Sequence, residues 1–220
     1  MSSQPSRRRV LTVGLGLAGG VGLWSAAVTA AGAATTLTGW AGDTSANGWP
    51  VIAQAAARPV EGAGAVSVAV LDGDAATVLL HVARRFHYDV QPLAPDEITG
   101  HRTDRALAVP YESNYLSGTA IAVHPLLYPV HASGGFFPPE LTVIRDILAD
   151  LEGVVRWGGD ESVPKESHFQ LDVPPGDPGL KRVAAKVRQW NSQPGEGAGA
   201  IDPLAPGRLQ AARSLAQRQR

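Results

Sequence analysis

Ser113-Asn114-Tyr115-Leu116-Ser117-Gly118-Thr119-Ala120-Ile121-Ala122 is one of two stretches that organise the chain; the other is Trp157-Gly158-Gly159-Asp160, running on to His168-Phe169-Gln170. Gly118 lets the backbone cross close to a neighbouring segment, because it carries no side chain. Thr119 to Val123 then reads as a short strand with alternate residues on one face. Glu166 and His168 share a side if their segment is extended. After Ala122 the chain continues Val123-His124-Pro125-Leu126-Leu127-Tyr128-Pro129.

The order of these pieces resembles the paired metal-site signatures of peptidase family M15, the D-Ala-D-Ala carboxypeptidases and L-Ala-D-Glu endopeptidases. The family's first signature reads Ser-x-His-x-x-Gly-x-Ala-x-Asp. Its second carries Trp-Gly-Gly-Asp and then an acid-x-x-His-Phe-Glu. Aligned on these, the first zinc histidine falls on Tyr115, the zinc aspartate on Ala122 and the catalytic acid on Lys165, so that His168 is the one ligand kept. Gly100-His101-Arg102 resembles the Gly-Tyr-Arg segment ahead of the family's metal site, which implies an anion-binding role for Arg102. A planar, permanently charged fork suits an anion in a cleft.

A catalytic zinc needs about three protein ligands and an open position for water. With Tyr115 and Ala122 in ligand positions, two readings stand. In one, the chemistry is gone and a binding groove remains, with Arg102, Tyr115, Ser113, Asp160 and Trp49 as candidate contacts and no cofactor. In the other, zinc is held at a rebuilt site by His168 with His124 and Glu166, His131, Asp160 and Glu161 being further candidates. Arg102 and Glu166 are then the candidate catalytic groups. Lys165 argues against the second, since an ammonium cannot take the water's proton. A serine route through Ser113 or Ser117 with His168 and Asp160 lacks the strand-elbow-helix setting that activates a serine.

The 220 residues carry 19 Lys+Arg against 20 Asp+Glu, a formal charge of −1 that implies no basic surface for nucleic acid. With no cysteine, disulfides and thiolate metal sites are excluded. Arg7-Arg8-Arg9 precede an uncharged Gly/Ala-rich run through Ala34, and Ala31-Gly32-Ala33 offers the small residues of a signal-peptidase site. This resembles a twin-arginine export signal. Cleavage after Ala33 would remove three arginines and no acid, leaving −4. An uncleaved signal would be the only membrane attachment.

Residues 35–64 read as a linker or extended arm in which Asn47-Gly48-Trp49-Pro50 either pins a Trp to the domain edge or supplies an aromatic wall. Val66 to Val70 alternates as a strand, and Asp74 is placed to cap a helix over 75–86 with Leu79, Val82 and Phe86 on one face. His81 and His87 read as surface or half-buried histidines. Pro139-Glu140 opens a helix through Glu152, after a loop with Gly134-Gly135-Phe136-Phe137 that either covers the cleft or packs at the surface. Residues 154–157 and 169–173 read as strands, and Asp177-Pro178 starts a helix over 179–190. The Arg-rich end reads as a frayed tail, since isolated helices of such length are marginal.

The expected fold is α+β: one compact domain over 65–190, resembling the M15 core, with a small, mostly antiparallel sheet under outer helices. Residues 1–34 form the export signal and 191–220 a Pro/Gly linker and tail. The expected protein is exported to the envelope or beyond and keeps a groove for peptidoglycan stem peptides or an envelope partner protein. The alternative is an active zinc metallopeptidase acting on stem peptides.

Overall fold

A computed structural model describes residues 36–193 and 202–219. The expected export signal therefore lies outside the described residues. In chain order the elements are β1 (Thr38–Gly39), β2 (Ala57–Pro59), β3 (Ser67–Ala69), α1 (Asp74–Asp89), β4 (Ile98–Thr99), β5 (Ala106–Leu107), β6 (Ala120–Val123), α2 (Pro138–Asp150), β7 (Val155–Trp157), β8 (His168–Leu171), α3 (Pro178–Ser192) and α4 (Pro206–Gln219). The fold is α+β. Its main sheet has the order β4-β6-β8-β7 with every pair antiparallel, and the pairs β1–β5 and β2–β3 flank it. No helix among the described residues is long and apolar enough to cross a membrane.

The core forms where apolar spacing meets this sheet. On α1, Val78, Leu79, Val82 and Phe86 are buried one and two turns apart, and Phe86 meets Phe169 of β8 edge-on at 6.4 Å. On α2 the buried stripe is Ile144, Ile147, Leu148 and, at its end, Leu151. Each such side chain contributes about 1.5–3 kcal/mol when removed from water. Gly118 has φ +67°, and a Cβ there would lie 2.8 Å from the Leu71 nitrogen, so the close crossing is real.

Three sequence expectations are corrected. Residues 36–64 are part of the domain: Val60 and Ala63 are buried, and the Trp49 indole donates to the Val173 carbonyl at 2.8 Å. Side-chain amide and indole bonds replace the periodicity that was missing. The C-terminal segment is helix α4, packed on α2 with Ala212 and Leu215 buried. Arg208 donates to Asp146 at 2.7 Å through two nitrogens and to Asp150 at 2.8 Å, which supplies the tertiary support a lone helix lacks. Finally, Gly73 rather than Asp74 precedes α1, and no side chain caps its first turn. Asp74 pairs instead with Arg188 at 2.8 Å.

Candidate functional site

A 3₁₀ turn over Pro110–Tyr115 faces β8 and presents Glu112, Asn114 and Tyr115 toward it. Pro110 opens the turn where its missing N–H costs nothing. On β8, His168 and Gln170 are two apart and share a face. The Trp157-Gly158-Gly159-Asp160 turn holds the approach to β8: Gly158 O accepts from Lys165 N at 3.0 Å, and Trp157 Nε1 donates to Glu166 O at 2.7 Å. A Cβ on Gly158 would sit 2.4 Å from Lys165 O and 2.8 Å from His168 Cβ, so this position excludes any larger residue.

A chain of hydrogen bonds fixes every proton around His168. Asn47 N–H donates to Asn114 Oδ1 at 3.1 Å, which orients the Asn114 amide from a backbone donor. Asn114 Nδ2 then donates to Gln170 Oε1 at 2.7 Å. His168 Nε2, 2.8 Å from that oxygen, must carry a hydrogen. Its Nδ1 is then the acceptor for the Tyr115 hydroxyl at 2.6 Å. The ionisation directions agree. Burial holds His168 neutral, lowering its pKa to about 3 despite the Gln170 bond. Burial also raises the Tyr115 phenol, with Glu112 adding to the effect and Arg102 opposing it.

Two cations lie against the Tyr115 ring. The Arg102 guanidinium lies 5.0 Å and the Lys165 ammonium 5.1 Å from the ring centroid, within cation–π range. Both lean on one carboxylate: Lys165 Nζ is 2.6 Å from Glu112 Oε1, and Arg102 Nη2 is 3.5 Å from Glu112 Oε2. Burial pushes the Glu112 pKa up, but Lys165, the Ala108 N–H and Arg102 together carry it below the ordinary value. Tyr111 packs on His168 with ring centroids 4.9 Å apart and donates to Val163 O at 2.8 Å.

The donor set does not fit zinc. The one lone pair of neutral His168 is engaged by Tyr115, and Ala122, paired directly across from His168 in the β6–β8 register, has nothing to donate. The candidates for a rebuilt site do not gather around His168, although His124 Nε2 is buried and without a partner among the described residues. His124 lies against Phe86 and 3.6 Å from Glu97, with a left-handed φ of 44°. Glu166 accepts from the N–H groups of Gly134 and Gly135, each at 2.8 Å. His131 is exposed, Asp160 is paired with Arg145 and Glu161 with Arg156. Among the described residues no group of three or more His, Cys, Asp or Glu is placed to hold a metal.

Most of the residues named for the groove are engaged within the domain. Ser113 is wholly buried, donating to Pro110 O at 2.7 Å and accepting from Ala46 N, while Ser117 donates to Asn114 O at 3.0 Å, so neither serine is poised for attack. Tyr115 is buried. Trp49 pins the N-terminal segment to Val173, and Asp160 anchors the turn to α2 through Arg145. The glycine loop before α2 is packed, with Phe136 stacked on Tyr128 at 4.1 Å. Of the five proposed contacts, Arg102 and Tyr115 are brought together, and Arg102, with its side chain 35% exposed, is the one that reaches solvent at this centre. Sequence reasoning gives no role to Glu112, Asn47 and Asn114; Lys165, a cation three residues before a buried His168, has its carboxylate partner 53 residues away in Glu112, beyond any local pattern.

Compared with known proteins, the chain matches no family model, no curated protein and no solved structure.

The neutral histidines set a pH dependence. His81 is lowered to about 3 by burial and nearby arginines, as His168 is by burial. Between pH 6.5 and 3 the unfolded chain therefore binds protons that the folded chain does not, and stability falls as pH falls through this window. The expected loss is about 1.6 kcal/mol per histidine between pH 6.5 and 5. Urea unfolding at both pH values measures it, and replacing His168 by Asn should remove one share of the slope. Equal stability at the two pH values would contradict the assignment.

Proposed function

We propose that this chain is an exported cell-envelope protein that uses an M15-like framework without its hydrolytic chemistry, binding the carboxylate of a peptidoglycan stem peptide. The observation that carries the non-catalytic half is the closed Asn47–Asn114–Gln170–His168–Tyr115 chain, in which no group is free to activate water. Arg102 supports the binding half. Its fork has one long contact to Glu112, and its Nε has no partner among the described residues. Lys165 beside it makes one bond to Glu112 and keeps further donors. Export rests on the Arg7-Arg8 signal, and replacing both by Lys, followed by cell fractionation, tests it.

Calorimetry with muramyl peptides on the purified protein tests the binding. Arg102→Ala is expected to weaken it by about 1–3 kcal/mol through loss of a charge-assisted hydrogen bond. No stem peptide should be cleaved and zinc should stay far below one per chain. Release of D-alanine that depends on His168, or affinity unchanged by Arg102→Ala, would overturn the proposal.

A further inference from the structure

A second site lies between β2, α1 and α3, on elements that take no part in the Tyr115–His168 centre. A cavity of about 420 Å³ opens there, and three arginines from separate elements line it: Arg58 of β2, Arg84 of α1 and Arg188 of α3. Gly73, Ala76 and Thr77 of the first turn of α1 line it as well. That turn has no side-chain cap, so its leading N–H groups and the positive end of a 16-residue helix are left to the cavity.

An independent feature points to a ligand. His81 lines the same cavity, is only 3% exposed, and its Nε2 has no hydrogen-bond partner among the described residues. Arg84 repeats the pattern: its buried Nε is also without a partner there. Buried polar groups are nearly always paired, so two orphans on one cavity wall are unusual.

The arginines do have carboxylate partners, and two of these, Glu61 and Asp72, line the cavity as well. Arg58 pairs with Asp72 at 2.6 Å, Arg84 with Glu61 at 2.7 Å and Arg188 with Asp74 at 2.8 Å. Asp72 and Glu61 are 60% and 69% exposed, whereas the Arg84 side chain is only 15% exposed. Exposed pairs of this kind are worth about 0–1 kcal/mol each, so these carboxylates can turn to water and yield their guanidinium groups to a better acceptor. A tetrahedral oxyanion suits such a wall, because arginines from separate elements and an uncapped helix start line one cavity. Pro59, Ala76 and Leu80 leave an apolar wall for the rest of a ligand.

We infer that this cavity binds a small organic phosphate, with its phosphoryl oxygens on Arg58, Arg188, the start of α1 and the His81 Nε2–H, and its apolar body against Pro59 and Leu80. Titration of the full chain with phenyl phosphate, inorganic phosphate and benzoate, followed by NMR, tests this. Phenyl phosphate should bind saturably, about tenfold more tightly than inorganic phosphate because of the apolar area it buries. Arg58→Gln and Arg188→Gln should each weaken it about tenfold. Both side chains are nearly half exposed or more, so the thermal midpoint should hardly move and a folding defect would not be mistaken for lost binding. Absence of saturable binding at ~10 mM phenyl phosphate, affinity unaffected by both substitutions, or benzoate binding as tightly as phenyl phosphate would each overturn the inference.

Discussion

Replacing Arg85 by Met is expected to destabilise the domain by about 3–5 kcal/mol, the largest loss for any single side chain considered. Arg85 is fully buried, and its three nitrogens serve three carboxylates: Asp89 at 2.6 Å, Asp150 at 2.7 Å and Asp146 at 3.0 Å. Asp146 and Asp150 keep Arg208, but one guanidinium must then neutralise two buried acids. Burial already raises the Asp150 pKa against the pull of both arginines. Lys at position 85 should not rescue, since a point charge cannot reproduce a three-way fork. Urea unfolding of the two variants decides the matter. A loss below about 1 kcal/mol for Arg85→Met would mean that the network is worth no more than a surface pair.

The second expectation tests descent of the site. Tyr115→His, Ala122→Asp and Lys165→Gln, combined, should give a chain carrying close to one zinc per molecule, where the parent is expected to carry far less. Position 115 already reaches His168 Nδ1, and position 122 lies directly across from His168 in the sheet. Only donors are missing. Lys165→Gln removes the ammonium that would repel the metal and leaves an amide to donate to Glu112. Zinc at 100 times its dissociation constant should then stabilise the variant by about 2.7 kcal/mol. Metal analysis and melting with and without zinc measure both effects. Adding His168→Ala should abolish them; a triple variant that takes up no zinc would remove the basis for reading the two stretches as a former metal site.

What was legible in the sequence follows from the range of the interactions involved. The apolar spacing of Leu79, Val82 and Phe86 is a local pattern, and α1 is where that pattern places it, as are α2, α3 and the strand carrying His168. The N-terminal segment was not legible, because Asn47 and Trp49 are held by side-chain bonds to residues up to 124 positions away, which leave no periodicity behind. Helix α4 was missed for a related reason: its weak apolar face is supplemented by Arg208, whose value depends on Asp146 and Asp150 of another helix. At the site, the residue types at positions 115, 122 and 165 could be read directly, and none of them is a usual zinc ligand. The closure of the pocket could not, since it depends on the Asn114 and Gln170 amides and on Glu112 meeting Lys165 across 53 residues.

Asn47 also sets the order in which the molecule can become whole. Its backbone and side chain bind Asn114, Thr119 and the Leu171 carbonyl, across 67, 72 and 124 residues. Long loops of this kind must lose their entropy before any bond compensates for it. The proton arrangement at His168 therefore waits on the meeting of a segment made early and a strand made later. Until residue 171 has been made, the Asn47 latch has no Leu171 carbonyl to hold, and the Asn114–Gln170 bond that gives the imidazole its acceptor has nothing to pin it.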